Sequence, residues 1–293
     1  MLAATSGISY GVTVIMGKVL ADDGVDSASA LGVRFLVAAA LLVTLQLGRR
    51  GPLRPVGHEW LVVVLLGAVL YSVQATSFYF GLEHMGAAAV SLIAYCYPAM
   101  VAGFDVATGE LRLSGRLVTA MVLSIAGVAA VALAGGDATI TALGVIGALG
   151  AAVGFAAYVI ISHRQVTASD PWAIAIWLSL STGLATAGRG VVTGTFDWPA
   201  RSTIVPYLTY GLATGIAFAA LYAALRRLGA TRTSVWLNLE AVTAVVLAGL
   251  FLGETLLPVQ LVGGLAVGVG AVLATLASGE GRESTEPVEA PPG

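Results

Sequence analysis

Long apolar runs, each about the length of a bilayer-crossing helix, alternate along this chain with short polar connections. A spanning helix needs ~20 mostly apolar residues. That criterion predicts ten spans, at 3–20, 28–47, 60–81, 86–107, 114–134, 139–161, 172–192, 204–225, 231–252 and 256–277. The first lacks a basic leader and a small-residue cleavage site, and is read as a retained span. Residues 278–293 break the pattern. Their four Glu, one Arg, three Pro and three Gly predict a disordered, solvated tail.

The pattern also repeats. The stretch 79–98, YFGLEHMGAAAVSLIAYCYP, aligns with 222–241, YAALRRLGATRTSVWLNLEA, at an offset of 143 (222 − 79). Tyr79 falls on Tyr222, Gly86 on Gly229 and Ser91 on Ser234; Gly109-Glu110 recurs as Gly253-Glu254 one residue later in register. The connection is acidic or neutral in the first copy (Glu83, His84) and basic in the second (Arg226, Arg227, Arg232). Lys and Arg favour the cytoplasmic side, so the two copies are expected to be upside down relative to each other. The fold expected is therefore an all-α polytopic membrane protein of ten transmembrane helices, built as two inverted-topology five-helix repeats over 1–135 and 136–277.

Composition agrees. The chain is 58% hydrophobic and only 10% charged, with a mean hydropathy of +0.92. A soluble domain carries about 25% charged residues, so most of this surface must face lipid. Glycine, 37 of 293 residues, suits close helix packing in a bilayer. A net charge of −2 without a basic cluster implies no nucleic-acid partner, and the single Cys96 excludes an intramolecular disulfide. The Lys/Arg tally sets the orientation. With a cytoplasmic N-terminus, ten lie inside (Arg49, Arg50, Arg54, Arg112, Arg116, Arg164, Arg226, Arg227, Arg232, Arg282), and only Lys18, Arg189 and Arg201 outside. Both termini are expected in the cytoplasm of a cell whose inner membrane holds the protein.

Polar residues inside a bilayer are costly and face a bundle interior or a water-filled cavity. Glu240 stands near the middle of span 9. It would stay protonated, pair with a cation or alternate between these as a proton-coupling group, or else serve as hydrogen-bonded packing glue. Trp236, one turn earlier, is expected on the same face, with Asn238 about 200° around the helix. Ser234, Asn238 and Ala241 mirror Ser91, Tyr95 and Pro98, a stripe that lines a pseudo-symmetric cavity or makes a helix contact. Pro98 lacks a donor and crowds the carbonyl of Ala94, which predicts a kink or break near mid-membrane, as a hinge or as a static bend.

Arg34 lies a third of the way into span 2 with no acid in its own helix. It either snorkels to the interface or clamps a carboxylate with its bidentate fork. Lys18 is read as reaching the interface, and Asp105 as pairing with Arg112 or Arg116. Among the aromatics Tyr10, Tyr95 and Tyr158 are deepest, and Gln74 could hydrogen-bond cargo; these, with Trp236 and Asn238, are the candidate substrate contacts. Gly109-Glu110 and Gly253-Glu254 read as helix terminators at the water boundary.

Tyr10-Gly11 and Lys18 in span 1, Arg34-Phe35 in span 2, Tyr97-Pro98 in span 4 and the Gly-Glu pairs closing spans 4 and 9 together resemble the drug/metabolite transporter superfamily, in its EamA-type ten-helix branch. The resemblance covers about residues 3–277. Two positions depart from it: Tyr10-Gly11 stands where Trp-Gly is usual, and Glu240-Ala241 where Glu-Pro is frequent. It implies a secondary transporter with a central cavity lined largely by spans 3, 4, 8 and 9, exporting small metabolites such as amino acids, or drugs, by alternating access. A proton gradient is the candidate energy source.

Catalysis finds no support in the sequence. There is no Gly-x-Ser-x-Gly elbow, His-Glu-x-x-His or Walker A motif, and His58, His84 and His163 are expected on different membrane faces. A membrane-embedded enzyme would need an acid or histidine cluster at one interface. A lipid or lipid-linked-sugar flippase of the same fold is the other alternative, and would show a laterally open groove. No cofactor or metal is implied. The partners expected are a small-molecule substrate and membrane lipid, with the protein a monomer or homodimer.

Overall fold

The computed structural model describes residues 1–84, 90, 93–133, 140–251 and 257–276. Ser91, Gly86, Asp137, Gly253-Glu254 and the 278–293 tail lie outside them. The described residues are helical, joined by short connections. In chain order the helices are α1 (Leu2–Asp22), α2 (Ser27–Gly48), α3 (Glu59–Leu65), a π segment (Leu66–Tyr71), α4 (Ser72–His84), α5 (Tyr97–Ala107), α6 (Gly115–Leu133), α7 (Ala142–Gln165), α8 (Pro171–Thr193), α9 (Ile204–Leu228), α10 (Ala230–Leu237), α11 (Leu239–Phe251) and α12 (Pro258–Leu276).

Among the described residues, five helical stretches are long and apolar enough to cross a membrane: Ala28–Gly48, Glu59–Gly81, Ala142–Gln165, Arg201–Leu228 and Ala230–Phe251. Gly115–Ala130 and Pro258–Ala274 are shorter apolar helices. Leu61, Leu65, Val69 and Val73 form one exposed stripe at four-residue spacing along Glu59–Gly81. Exposed leucines and valines would be costly in water, but facing lipid they cost nothing.

Local chemistry sets where the helices start and stop. Asp26 caps α2 by accepting from the Ala28 amide at 2.8 Å. Thr141 caps α7 through Gly144, and Asp170 caps α8 through Trp172 at 2.9 Å, with Pro171 in the first turn where a missing donor is harmless. Gly109 follows α5 with a left-handed φ of +76°, the conformation expected of the first Gly-Glu terminator. Glu110 pairs with Arg164 at 2.8 Å, tying the end of α5 to α7.

Close packing of α1 relies on glycine at two places. At Gly7 on α1 a Cβ would sit 2.8 Å from the Trp236 carbonyl; at Gly11 it would sit 2.9 Å from the Glu240 carbonyl. Helix α1 therefore presses its backbone against the junction of α10 and α11. Only a residue without a side chain allows that approach.

One end of the bundle is sealed by a polar clamp. The Glu59 carboxylate, 4% exposed, accepts from the backbone amides of Thr167, Ala168 and Ser169 at 2.8–2.9 Å. Ser169 in turn accepts from the Val56 amide, and Arg226 donates to the Ser169 carbonyl at 2.7 Å. The start of α3, the α7–α8 connection and the end of α9 are thus locked to one another.

Candidate substrate cavity

Beyond the clamp lies a layer of aromatic rings. Phe35 stacks on Phe218, Tyr71 meets Phe218 and Tyr158 edge-on at 5.4 Å, and Tyr158 meets Tyr222. Each such pair contributes about 0.5–1.5 kcal/mol beyond its buried area. The layer closes the floor of a cavity of about 490 Å³, a size suited to a small organic molecule. From Tyr10 the lining runs along α1 to Lys18 near its C-terminal end, and along α4 through Gln74 to Phe78 and Tyr79. α2, α5, α7, α9 and α11 supply the remaining walls, so both sequence repeats contribute.

Three charged side chains line this space, Lys18 on α1 and Arg34 on α2 from the first repeat and Glu240 on α11 from the second. Arg34 is 7% exposed and does not snorkel. Its Nε donates to Thr214 Oγ1 at 2.7 Å and its Nη1 to the Tyr210 hydroxyl at 3.0 Å. The guanidinium also lies over the rings of Phe35 and Tyr210, 4.6 and 4.5 Å from their centroids. Thr214 Oγ1 in turn donates a hydrogen bond to the Tyr210 carbonyl at 2.8 Å, and Gly17 leaves room for the Tyr210 hydroxyl. The guanidinium is held rigidly by neutral groups. Its partners include no carboxylate among the described residues.

Glu240 occupies the first turn of α11, with the Tyr95 side chain within hydrogen-bonding reach. No ion pair joins it to Arg34 among the described residues. Of the other sequence candidates, Tyr10, Gln74 and Tyr95 line the cavity. Tyr158 is fully buried in the second layer, behind Tyr71 and Phe155. Pro98 is buried in the first turn of α5, just past a turn at Tyr95 and Cys96, so the helix restarts there rather than bending through the proline.

Two expectations are corrected. Trp236 does not share a face with Glu240, because span 9 is interrupted at Asn238 and the i, i+4 relation is lost; Trp236 lines an apolar groove with Gly264 and Gly268 of α12. Asn238 lies away from the cavity and is fully buried, its carboxamide hydrogen-bonded to Ser124 Oγ on α6 at 2.8 Å. Asp105 accepts a hydrogen bond from Thr231 Oγ1 at 2.6 Å, which ties α5 to α10. Tyr210 and Thr214 went unnoticed in sequence. Their i, i+4 spacing in an apolar span was the available signal.

A bundle of apolar helices around a chamber that carries both cations and an acid defines a polytopic membrane protein. The chain belongs to the EamA-like transporter family, which it matches over residues 1–133 and 142–276. A solved structure described only as "Crystal structure of protein" is similar in fold, with a TM-score of 0.81 at 17% identity over 96% of this chain and 97% of that one. The overall fold fits that of drug/metabolite transporters. No curated protein matches.

Proposed function

We propose that this protein is a secondary transporter that exports small zwitterionic or amphipathic metabolites, amino acids or related compounds and drugs among them, by alternating access. Arg34 takes the substrate's carboxylate through its bidentate fork, and Glu240 takes its ammonium group. Tyr10, Gln74 and Tyr95 supply the walls. The observation that carries this reading is the pair itself: Arg34 and Glu240 face one chamber from opposite repeats, and no salt bridge joins them among the described residues. Burying an uncompensated charge is expensive, so a ligand that brings both opposite charges gains twice on entry.

In this reading the ten spans form two inverted halves in the inner membrane, with both termini cytoplasmic. The clamp at Glu59 and the aromatic floor then close the cytoplasmic side, and the chamber faces outward. Glu240 alternates between binding a proton and binding substrate, which couples export to the proton gradient. Lining contributed by both repeats favours a central solute site over a lipid path.

The test is flux in liposomes holding the purified protein, over a panel of zwitterionic amino acids, their amides and their decarboxylated amines. Zwitterions should move, and analogues lacking either charge should move much more slowly. If no member of the panel moved under imposed substrate and pH gradients, the reading would be abandoned.

A further inference from the structure

Both repeats interrupt the same helix at the same place, but by different means. In the first repeat the chain turns at Tyr95 and Cys96, and α5 restarts with Pro98 in its opening turn. In the second repeat α10 ends at Leu237 and α11 begins at Leu239. Asn238 is the repeat counterpart of Tyr95 (238 − 95 = 143). The bonds at both junctions tighten to three-residue spacing: Cys96 N to Ile93 O at 3.1 Å, and Asn238 N to Val235 O at 3.3 Å.

Proline accounts for the first interruption, since it has no N–H to continue the helix. The counterpart of Pro98 is Ala241, the residue type with the highest helix propensity, and its amide bonds back to the Asn238 carbonyl at 3.2 Å. Nothing in the backbone chemistry of Leu239-Glu240-Ala241 forces a break. Asn238 does have the means. Its carboxamide is anchored 2.8 Å from Ser124 Oγ, and both residues are buried to within 1%. A continuous helix would have to carry that side chain on a different bearing and give up the bond. Gly7 accommodates the carbonyls of Trp236 and Leu237 that the interruption turns toward α1.

The interruption decides where Glu240 points. In an unbroken helix Trp236 and Glu240, four residues apart, would share a face. Here Trp236 looks onto α12 and Glu240 onto the chamber. We infer that Asn238 is a positioning residue: its hydrogen bond to Ser124 holds span 9 open at mid-helix and thereby aims the Glu240 carboxylate into the substrate cavity. This rests on the chamber being the substrate site.

The experiment reads the aim of position 240 directly and needs no knowledge of substrate. Glu240→Cys is made in a Cys96→Ser background, and its reaction with a small water-soluble thiol reagent is timed in proteoliposomes. Adding Asn238→Leu should slow labelling about tenfold, the scale set by a buried hydrogen bond and the polar group left behind. Ser124→Ala should slow it in the same direction. Adding Ala241→Pro to the Asn238→Leu protein, which copies the first repeat's device, should restore the rate and separates misaiming from misfolding. Unchanged labelling in Asn238→Leu, or no recovery with Ala241→Pro, overturns the inference. If Glu240→Cys is unreactive even with Asn238 intact, the cavity reading fails with it.

Discussion

At the scale of single residues, two charges and what surrounds them carry the proposed function. Arg34 is fixed by Thr214 and Tyr210 before any ligand arrives, so its fork is already oriented. Arg34→Lys keeps the charge but loses the fork and the ring stacking; substrate KM should rise about tenfold or more, while the protein stays folded. Thr214→Val should give a smaller rise, since it removes one neutral partner worth about 1 kcal/mol. Glu240→Gln keeps the volume and removes the titratable group. Flux should then lose its dependence on an imposed pH gradient while downhill flux persists; unchanged pH dependence would remove Glu240 from the coupling step. Sequence reading reached these two residues because a charge inside an apolar run is conspicuous. It missed Tyr210 and Thr214, ordinary neutral residues until Arg34 is seen to lean on them. It misplaced Trp236 by assuming an unbroken helix.

At the scale of elements, the helices were legible and their interruptions only in part. Apolar length located the described helices to within a few residues, and the caps at Asp26, Asp170 and Gly109 are chemistry that sequence displays. Pro98 announced a break in its helix; Asn238 did not, because its partner Ser124 is 114 residues away. The Glu59 clamp was equally invisible, as it joins a helix start to backbone amides over 100 residues later. Glu59→Gln would still accept from one side but lose the charge that three amides share. It should loosen the Glu59 end of the bundle and expose buried Ser162, read as faster labelling of Ser162→Cys in a Cys96→Ser background. The glycines of α1 make a separate prediction. Gly11→Leu should lower thermal stability by several degrees, because its side chain collides with Thr243 and the Glu240 carbonyl.

Across the whole molecule, the doubled sequence carries the most meaning. Two copies matching one family over 1–133 and 142–276 enclose one chamber, and the repeats differ at its centre, where one holds Tyr97-Pro98 and the other Glu240-Ala241. In the proposed cycle the clamp and the aromatic floor open as the Lys18 and Phe78 end closes, so the chamber meets each side in turn. The most direct test is side-specific labelling of Phe78→Cys, in a Cys96→Ser background, with a membrane-impermeant thiol reagent in vesicles of known orientation. Without substrate the thiol should react from the extracellular side, and saturating substrate with an opposing gradient should shift reactivity toward the cytoplasmic side. Equal reactivity from both sides, or none from either under any gradient, would contradict alternating access through this cavity.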